Sequence, residues 1–203
     1  MIWNHLTTKD FVTYENRGPV LFPDSDLDSS GAYSGSAFVH DGKIHYFYTG
    51  NVKHFDRDDY DYVLTGREQN QIHVVAENPD ELGEKRIAVG PVDYPDDIGT
   101  HVRDPKILEH DGIYYMVLGA RTKDDRGCVL VYTSSDLEDW SYATRIELGE
   151  KFGFMWECPD LFELDGELIL VCCPQGVSAD GWRYRNPHQC VWFPSSRLGG
   201  AEF

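Results

Sequence analysis

The sequence predicts an all-β chain of repeated four-stranded antiparallel sheets, and three observations support this. An Asp-Gly pair lies between two apolar runs at Asp41-Gly42, Asp111-Gly112 and Asp165-Gly166. Asp-Gly between strand-like runs is a strong hairpin signal, because a tight two-residue turn needs positive φ, which Gly accepts freely. Aromatic residues make up 13% of the 203 residues, as suits strands. No long stretch shows helical periodicity with capping residues.

The hairpin pairs stand 70 and 54 residues apart. Roughly 50 residues is one four-stranded propeller blade. The longer first interval contains the polar stretch 53–69, read as a loop insertion. In chain order, residues 1–22 are expected to form the outer part of one blade. Whole blades are expected at 30–95 and 100–150, and part of another at 155–203. The outer-blade reading of the first segment rests on Thr8-Lys9-Asp10-Phe11-Val12-Thr13-Tyr14, which resembles Ser135-Asp136-Leu137-Glu138-Asp139-Trp140. Both would close a third strand and turn into an outer one. Residues 77–84 are polar and read as a loop. The tail 195–203 lacks strand character and is expected to be a scar of truncation, in a propeller that begins and ends inside blades.

A net charge of −17 argues against nucleic acid and anionic membrane surfaces, since both need clustered Lys and Arg. Five cysteines, two of them adjacent and none in CxxC spacing, fit no disulfide framework or zinc site. That usage, with an N-terminus unlike a signal peptide, gives the expectation of a reducing cytoplasm. The eight histidines form no ligand spacing, so no metal or cofactor is expected.

A polar motif opens each hairpin: Tyr33-Ser34-Gly35-Ser36, Arg103-Asp104-Pro105 and Trp156-Glu157-Cys158-Pro159-Asp160. Asp104 and Glu157 read as acids at the same place in the repeating unit, aimed at a common centre. Paired carboxylates at a propeller axis suit glycoside cleavage, in which one group protonates the leaving oxygen. Glu157 lies among Met155, Trp156 and Pro159, which reads as an apolar setting able to hold a proton. From the residues alone, Glu157 could equally cap a strand or pair with an Arg, and Asp104 could simply pair with Arg103. Tyr33 and Ser34 could line a pocket or merely pack in a strand. Cys158 reads as a small buried hydrophobe.

These motifs carry a family resemblance. Gly31-Ala32-Tyr33-Ser34-Gly35-Ser36-Ala37, His101-Val102-Arg103-Asp104-Pro105-Lys106 and Met155-Trp156-Glu157-Cys158-Pro159-Asp160-Leu161 stand in the order and spacing of glycoside hydrolase family 32. The chain resembles its sucrose-6-phosphate hydrolases and β-fructofuranosidases from Trp3 to about Gly176. The resemblance implies a five-bladed β-propeller, of which this chain is a part, and a C-terminal β-sandwich that 203 residues leave no room for. It implies retaining hydrolysis of terminal β-fructofuranosides, sucrose or sucrose 6-phosphate, with a small sugar as the partner. Glu157 would be the acid/base and Asp104 the transition-state stabiliser. Tyr33, Ser34 and Arg103 would meet the substrate, and Arg103 could instead orient Glu157.

The family's nucleophile is the Asp of an Asn-Asp-Pro motif, and none occurs here; Asn78-Pro79-Asp80 has the wrong order. The chain is therefore expected to start downstream of the nucleophile and to be inactive alone. A non-catalytic carbohydrate-binding fragment and a five-bladed arabinoside hydrolase remain rivals. A phosphate on the substrate would need a basic cluster, for which Lys53, Arg57, Arg183 and Arg185 are candidates.

Overall fold

A computed structural model describes residues 1–194; the 195–203 tail lies outside the described residues. The fold is all-β, part of a five-bladed propeller. Strands β1 (Trp3–Thr8) and β2 (Tyr14–Leu21) form a two-stranded antiparallel sheet. The next sheet holds β3 (Ala32–His40), β4 (Lys43–Lys53) and β5 (Arg67–Asn78). Its far edge is shared by the short β6 (Glu81–Leu82) and β7 (Arg86–Val89), both paired with β5. A third sheet runs β8 (Ile98–His110), β9 (Ile113–Thr122), β10 (Gly127–Ser134) and β11 (Ser141–Ile146) in order. The last contains β12 (Met155–Leu164), β13 (Glu167–Gln175) and β14 (Val191–Pro194).

Local chemistry explains the hairpins. At all three Asp-Gly turns both central residues have positive φ, for example 51° at Asp111 and 77° at Gly112. That is the turn whose twist matches the flanking strands. The loop-to-outer-strand element also repeats in detail. Thr8 Oγ1 accepts from the backbone N–H of Asp10 and Phe11, while Asp10 Oδ1 accepts from Val12 and Thr13. Ser134 and Asp136 do the same for residues 136–139. Phe11 and Leu137 take the same left-handed conformation, so the repeat aligns Thr8 with Ser134 rather than Ser135. Residues 77–84 are less irregular than expected, because β5 continues to Asn78 and β6 follows at once.

The core lies between the sheets. Along β9, Met116, Leu118 and Ala120 pack toward the β3–β7 sheet, while Val117 packs toward the β12–β14 sheet. On β10, Leu130 and Tyr132 likewise face one way and Val129 and Val131 the other. A strand alternates its side chains between faces, so a blade sandwiched between two others must be apolar on both. A third cluster, including Leu21, Tyr48 and Ile72, joins the first two sheets. Strands β3, β8 and β12 each form one edge of their sheet and pack against one another, β8 between the other two. This shared edge gathers the three polar motifs.

Candidate active site

Every one of the three edge strands breaks register at its motif. The ladder skips from Ala32 to Gly35 in β3, from Arg103 to Lys106 in β8, and from Glu157 to Asp160 in β12. A bulge of this kind bends the strand and re-aims its side chains. The ladder also corrects the expectation that Asp104 and Glu157 occupy the same place in the unit. Arg103 pairs with Gly119, and Glu157 pairs with Cys173, so the equivalent of Glu157 is Arg103. The equivalent of Asp104 is Cys158.

Asp104 and Cys158 both precede proline and both have positive φ, 64° and 47°. Pre-proline residues normally avoid helical and left-handed conformations, so each position is strained by on the order of 1–3 kcal/mol. Neighbouring strands hold the strain in place. Asp104 N donates to Thr49 Oγ1 on β4 at 2.9 Å. Its carboxylate Oδ2 accepts from the Cys158 backbone N–H at 2.8 Å. Asp104 is buried, and burial pushes its carboxyl above the usual carboxylate range against the pull of that N–H and of Arg103.

Arg103 makes no close pair with its neighbour in sequence. Its Nε lies 4.0 Å from Asp104 Oδ2, whereas Nε and Nη2 donate to Glu157 Oε1 at 3.1 and 2.7 Å. From the other side, Gln175 Nε2 donates to Glu157 Oε2 at 2.5 Å. The apolar setting expected for Glu157 is therefore replaced by a polar clamp. Strand alternation explains why: Trp156 puts its ring into the core of the adjoining blades, while the next residue, Glu157, turns to the other face and its clamp.

The arginine is itself held. Its Nη1 lies 3.1 Å from His101 Nδ1, and His101 Nε2 lies 2.9 Å from the Tyr62 carbonyl. A carbonyl can only accept, so His101 carries its proton on Nε2 and offers Nδ1 to the guanidinium. Burial and the nearby Arg67 push the His101 imidazolium down to about 3, which keeps the ring neutral. Tyr62 belongs to the 54–66 loop; the insertion expected at 53–69 is shorter than that, because Lys53 ends β4 and residues 67–69 open β5. That loop also accepts from Thr100 through the Val63 carbonyl.

Sequence reasoning found Asp104, Glu157 and Arg103 but missed their support. His101 opens the His101-Val102-Arg103-Asp104-Pro105-Lys106 motif and Thr49 lies in Tyr48-Thr49-Gly50-Asn51-Val52, but the motifs assign neither a role, and Gln175 and the 54–66 loop carry no motif. A second hidden layer is the buried row on β5. Gln69 Oε1 accepts from Val102 N, and Gln71 Nε2 donates to Val102 O, satisfying the backbone of β8 at the edge of its sheet.

Ser34 lines an open cleft with Ser36, Asp104, Lys106, Cys158 and Asp160. Tyr33 lies on the β3 bulge, half-buried, with its carbonyl accepting from Trp3 Nε1. Cys158, read as a buried hydrophobe, is exposed because the bulge turns it outward. Two of the four candidate phosphate ligands, Arg57 and Arg185, have guanidinium partners of their own. Arg57 forks onto Asp59, and Arg185 donates to the Gly181 carbonyl and stacks on Trp182. Lys53 lies over Phe55, and Arg183 pairs its backbone with Asp180. Among the described residues no cluster of three or more His, Cys, Asp or Glu side chains could hold a metal ion.

Three bulged edge strands of a propeller thus bring Asp104 and Glu157 to either side of Arg103. The family model for the glycosyl hydrolases family 32 N-terminal domain matches residues 1–198, and the chain belongs to glycoside hydrolase family 32. It is 37% identical over 196 residues to sucrose-6-phosphate hydrolase of Bacillus subtilis, covering 94% of this chain and 39% of that protein. The solved sucrose-6-phosphate hydrolase of Lactobacillus gasseri superposes with a TM-score of 0.81 at 33% identity, over 95% of this chain and 38% of that one. A Bombyx mori GH32 beta-fructofuranosidase mutant in complex with sucrose gives 0.80 at 30% identity, over 96% and 39%. The chain thus spans about two fifths of the length of these relatives.

Proposed function

We propose that this chain supplies the acid/base and the ring-holding carboxylate of a retaining β-fructofuranosidase acting on sucrose or sucrose 6-phosphate. The observation that carries the reading is the Arg103–Glu157–Gln175 clamp beside the strained Asp104. Glu157 Oε1 already accepts two N–H groups, so the transferable proton belongs on Oε2. From there it passes to the glycosidic oxygen as the bond to fructose breaks. Asp104, ionised and anchored by Cys158 N–H, accepts from hydroxyls on the fructosyl ring. Those bonds strengthen as positive charge grows on the ring. Arg103 is a positioning residue, fixing Glu157 through a fork that His101 orients. Tyr33 and Ser34 complete the sugar-facing wall.

The covalent step needs a third carboxylate. Asp28 is not free for that role: buried, it accepts from Ser25, Tyr48 and Lys85. No Asn-Asp-Pro occurs among the 203 residues. The chain alone should therefore hydrolyse sucrose orders of magnitude more slowly than the complete relatives. Fructose release from sucrose and sucrose 6-phosphate tests this directly. Turnover on the order of 10 per second by the isolated chain would overturn the need for a third group. The expectation of no nucleic-acid or membrane partner remains part of the proposal, resting on the −17 net charge.

A further inference from the structure

Five thiols are free, and three of them, Cys158, Cys173 and Cys190, are not buried. Two of these stand opposite one another. Strand β13 pairs with β14 through Val171 with Trp192 and Cys172 with Val191, so the next step of the antiparallel register sets Cys173 against Cys190. Cys190 is close enough to be among the neighbours that push the Cys173 thiol up. On the other side of β13, Cys173 is the ladder partner of Glu157. Glu157 and Cys173 thus stand side by side on β12 and β13, with Cys190 next in line, one residue before β14 begins. Cys172, one residue away, points to the opposite face and is fully buried. The alternation that divides this adjacent pair leaves Cys173 as the member able to react.

We propose that Cys173 and Cys190 are a redox-active dithiol, closed to a cross-strand disulfide by a low-molecular-weight disulfide such as oxidised glutathione. Directly opposed residues on paired strands bring their Cα atoms to roughly 4.5–5.5 Å, within the span a disulfide bridges. The more exposed Cys190 thiolate attacks one sulfur of the oxidant, releasing one glutathione as thiol. Cys173 then attacks Cys190 Sγ, loses its proton to solvent and displaces the second glutathione. Two protein thiols are oxidised and one glutathione disulfide is reduced to two thiols. Burial and the neighbouring Cys190, Glu157 and Asp104 push the Cys173 thiol up, so closure is faster at alkaline pH.

The bond would close residues 174–189 into a loop and fix β13 where Gln175 leaves it to hold Glu157. Its link to catalysis rests on the Glu157 reading above; the chemistry of the pair does not.

The test is to equilibrate the folded chain with mixtures of reduced and oxidised glutathione and then count thiols and map peptides without reduction. Five thiols should fall to three, with the chain lighter by two hydrogen atoms and one linked peptide pair joining Cys173 to Cys190. Cys173→Ala should stop at a stable glutathione adduct on Cys190, and Cys190→Ala should form no internal link. Hydrogen exchange at residues 174–176 should slow on oxidation. Glu157→Gln should still form the bond, which separates this chemistry from the proposed activity. A link through Cys158 or Cys172, or a wild-type chain that keeps five thiols or retains the adduct, would overturn the proposal.

Discussion

At the β8 bulge the left-handed residue is Asp104; at the β12 bulge it is Cys158. Both precede proline, both lie where the ladder skips two residues, and one donates its backbone N–H to the carboxylate of the other. The residue just before each bulge differs in charge, Arg103 on β8 and Glu157 on β12, and these two pair at 2.7 Å. One backbone device, used twice, therefore produces complementary chemistry. On β8 the bulge carries the acid inward and buries it. On β12 it carries a thiol outward and leaves the acid one residue earlier, half-exposed and clamped. A one-residue offset between repeats separates two carboxylates that would otherwise compete for the same space.

Breaking the β12 side should have the largest effect. In the complete enzyme, Glu157→Gln should lower sucrose hydrolysis by on the order of 10²–10⁴-fold, because the glucosyl oxygen departs poorly without a proton. A fructoside with an activated leaving group should lose far less in the step that releases it. Equal losses on both substrates, measured where breakdown of the covalent intermediate is not limiting, would remove Glu157 from the acid role.

Breaking the β8 side should give the opposite signature. Asp104→Asn should slow both substrates alike, by roughly 10²–10³-fold, because the fructosyl ring is common to them. A loss confined to sucrose would reassign Asp104 to leaving-group chemistry.

The ladder partners of the bulges offer a stability test. Gly119 faces Arg103, and a Cβ built there would lie 2.1 Å from the Trp156 carbonyl oxygen, a backbone atom that cannot swing away. Gly119→Ala should cost about 1–3 kcal/mol, read as a lower urea midpoint at unchanged slope. The equivalent position on β13 is Cys173, where Cys173→Ala should cost less, since a side chain already fits.

Over a single pH unit the smallest expected effect is the pH dependence of the support beneath Arg103. His101 beneath Arg103, and His73 elsewhere beside His45 and Arg86, are held at about 3 in the fold, chiefly by burial, against an ordinary value of 6.5. The unfolded chain then takes up protons that the folded one refuses. Stability is fully present above pH 6.5 and falls as pH drops toward 3, by up to about 1.4 kcal/mol per unit for each ring. Asp104 opposes this trend, because its raised carboxyl gains a proton in the fold before it does in the unfolded chain. His101→Asn should flatten the decline between pH 6.5 and 4.5 in urea titrations, and an unchanged slope would refute the assignment.

Much of the fold was legible because its signals are local. Each Asp-Gly pair sits at a turn whose geometry those residues favour. The Thr8 and Ser134 motifs satisfy backbone donors within four residues of themselves. Arg103, Asp104 and Glu157 were legible as motif residues, but their relations were not. The sequence pairs Arg103 with its neighbour Asp104; the fold pairs it with Glu157, 54 positions away.

What the sequence determined by itself is therefore the blade repeat, its hairpins and the candidate carboxylates, since chain-local backbone preferences set these. Tertiary structure decided which residues of the repeat are equivalent, which way Trp156 and Glu157 turn, and how His101, Gln175 and Thr49 support the site. The physical reason is that a bulge shifts register by whole residues at no visible cost in sequence. Hydrogen bonds between blades then depend on that register rather than on spacing along the chain.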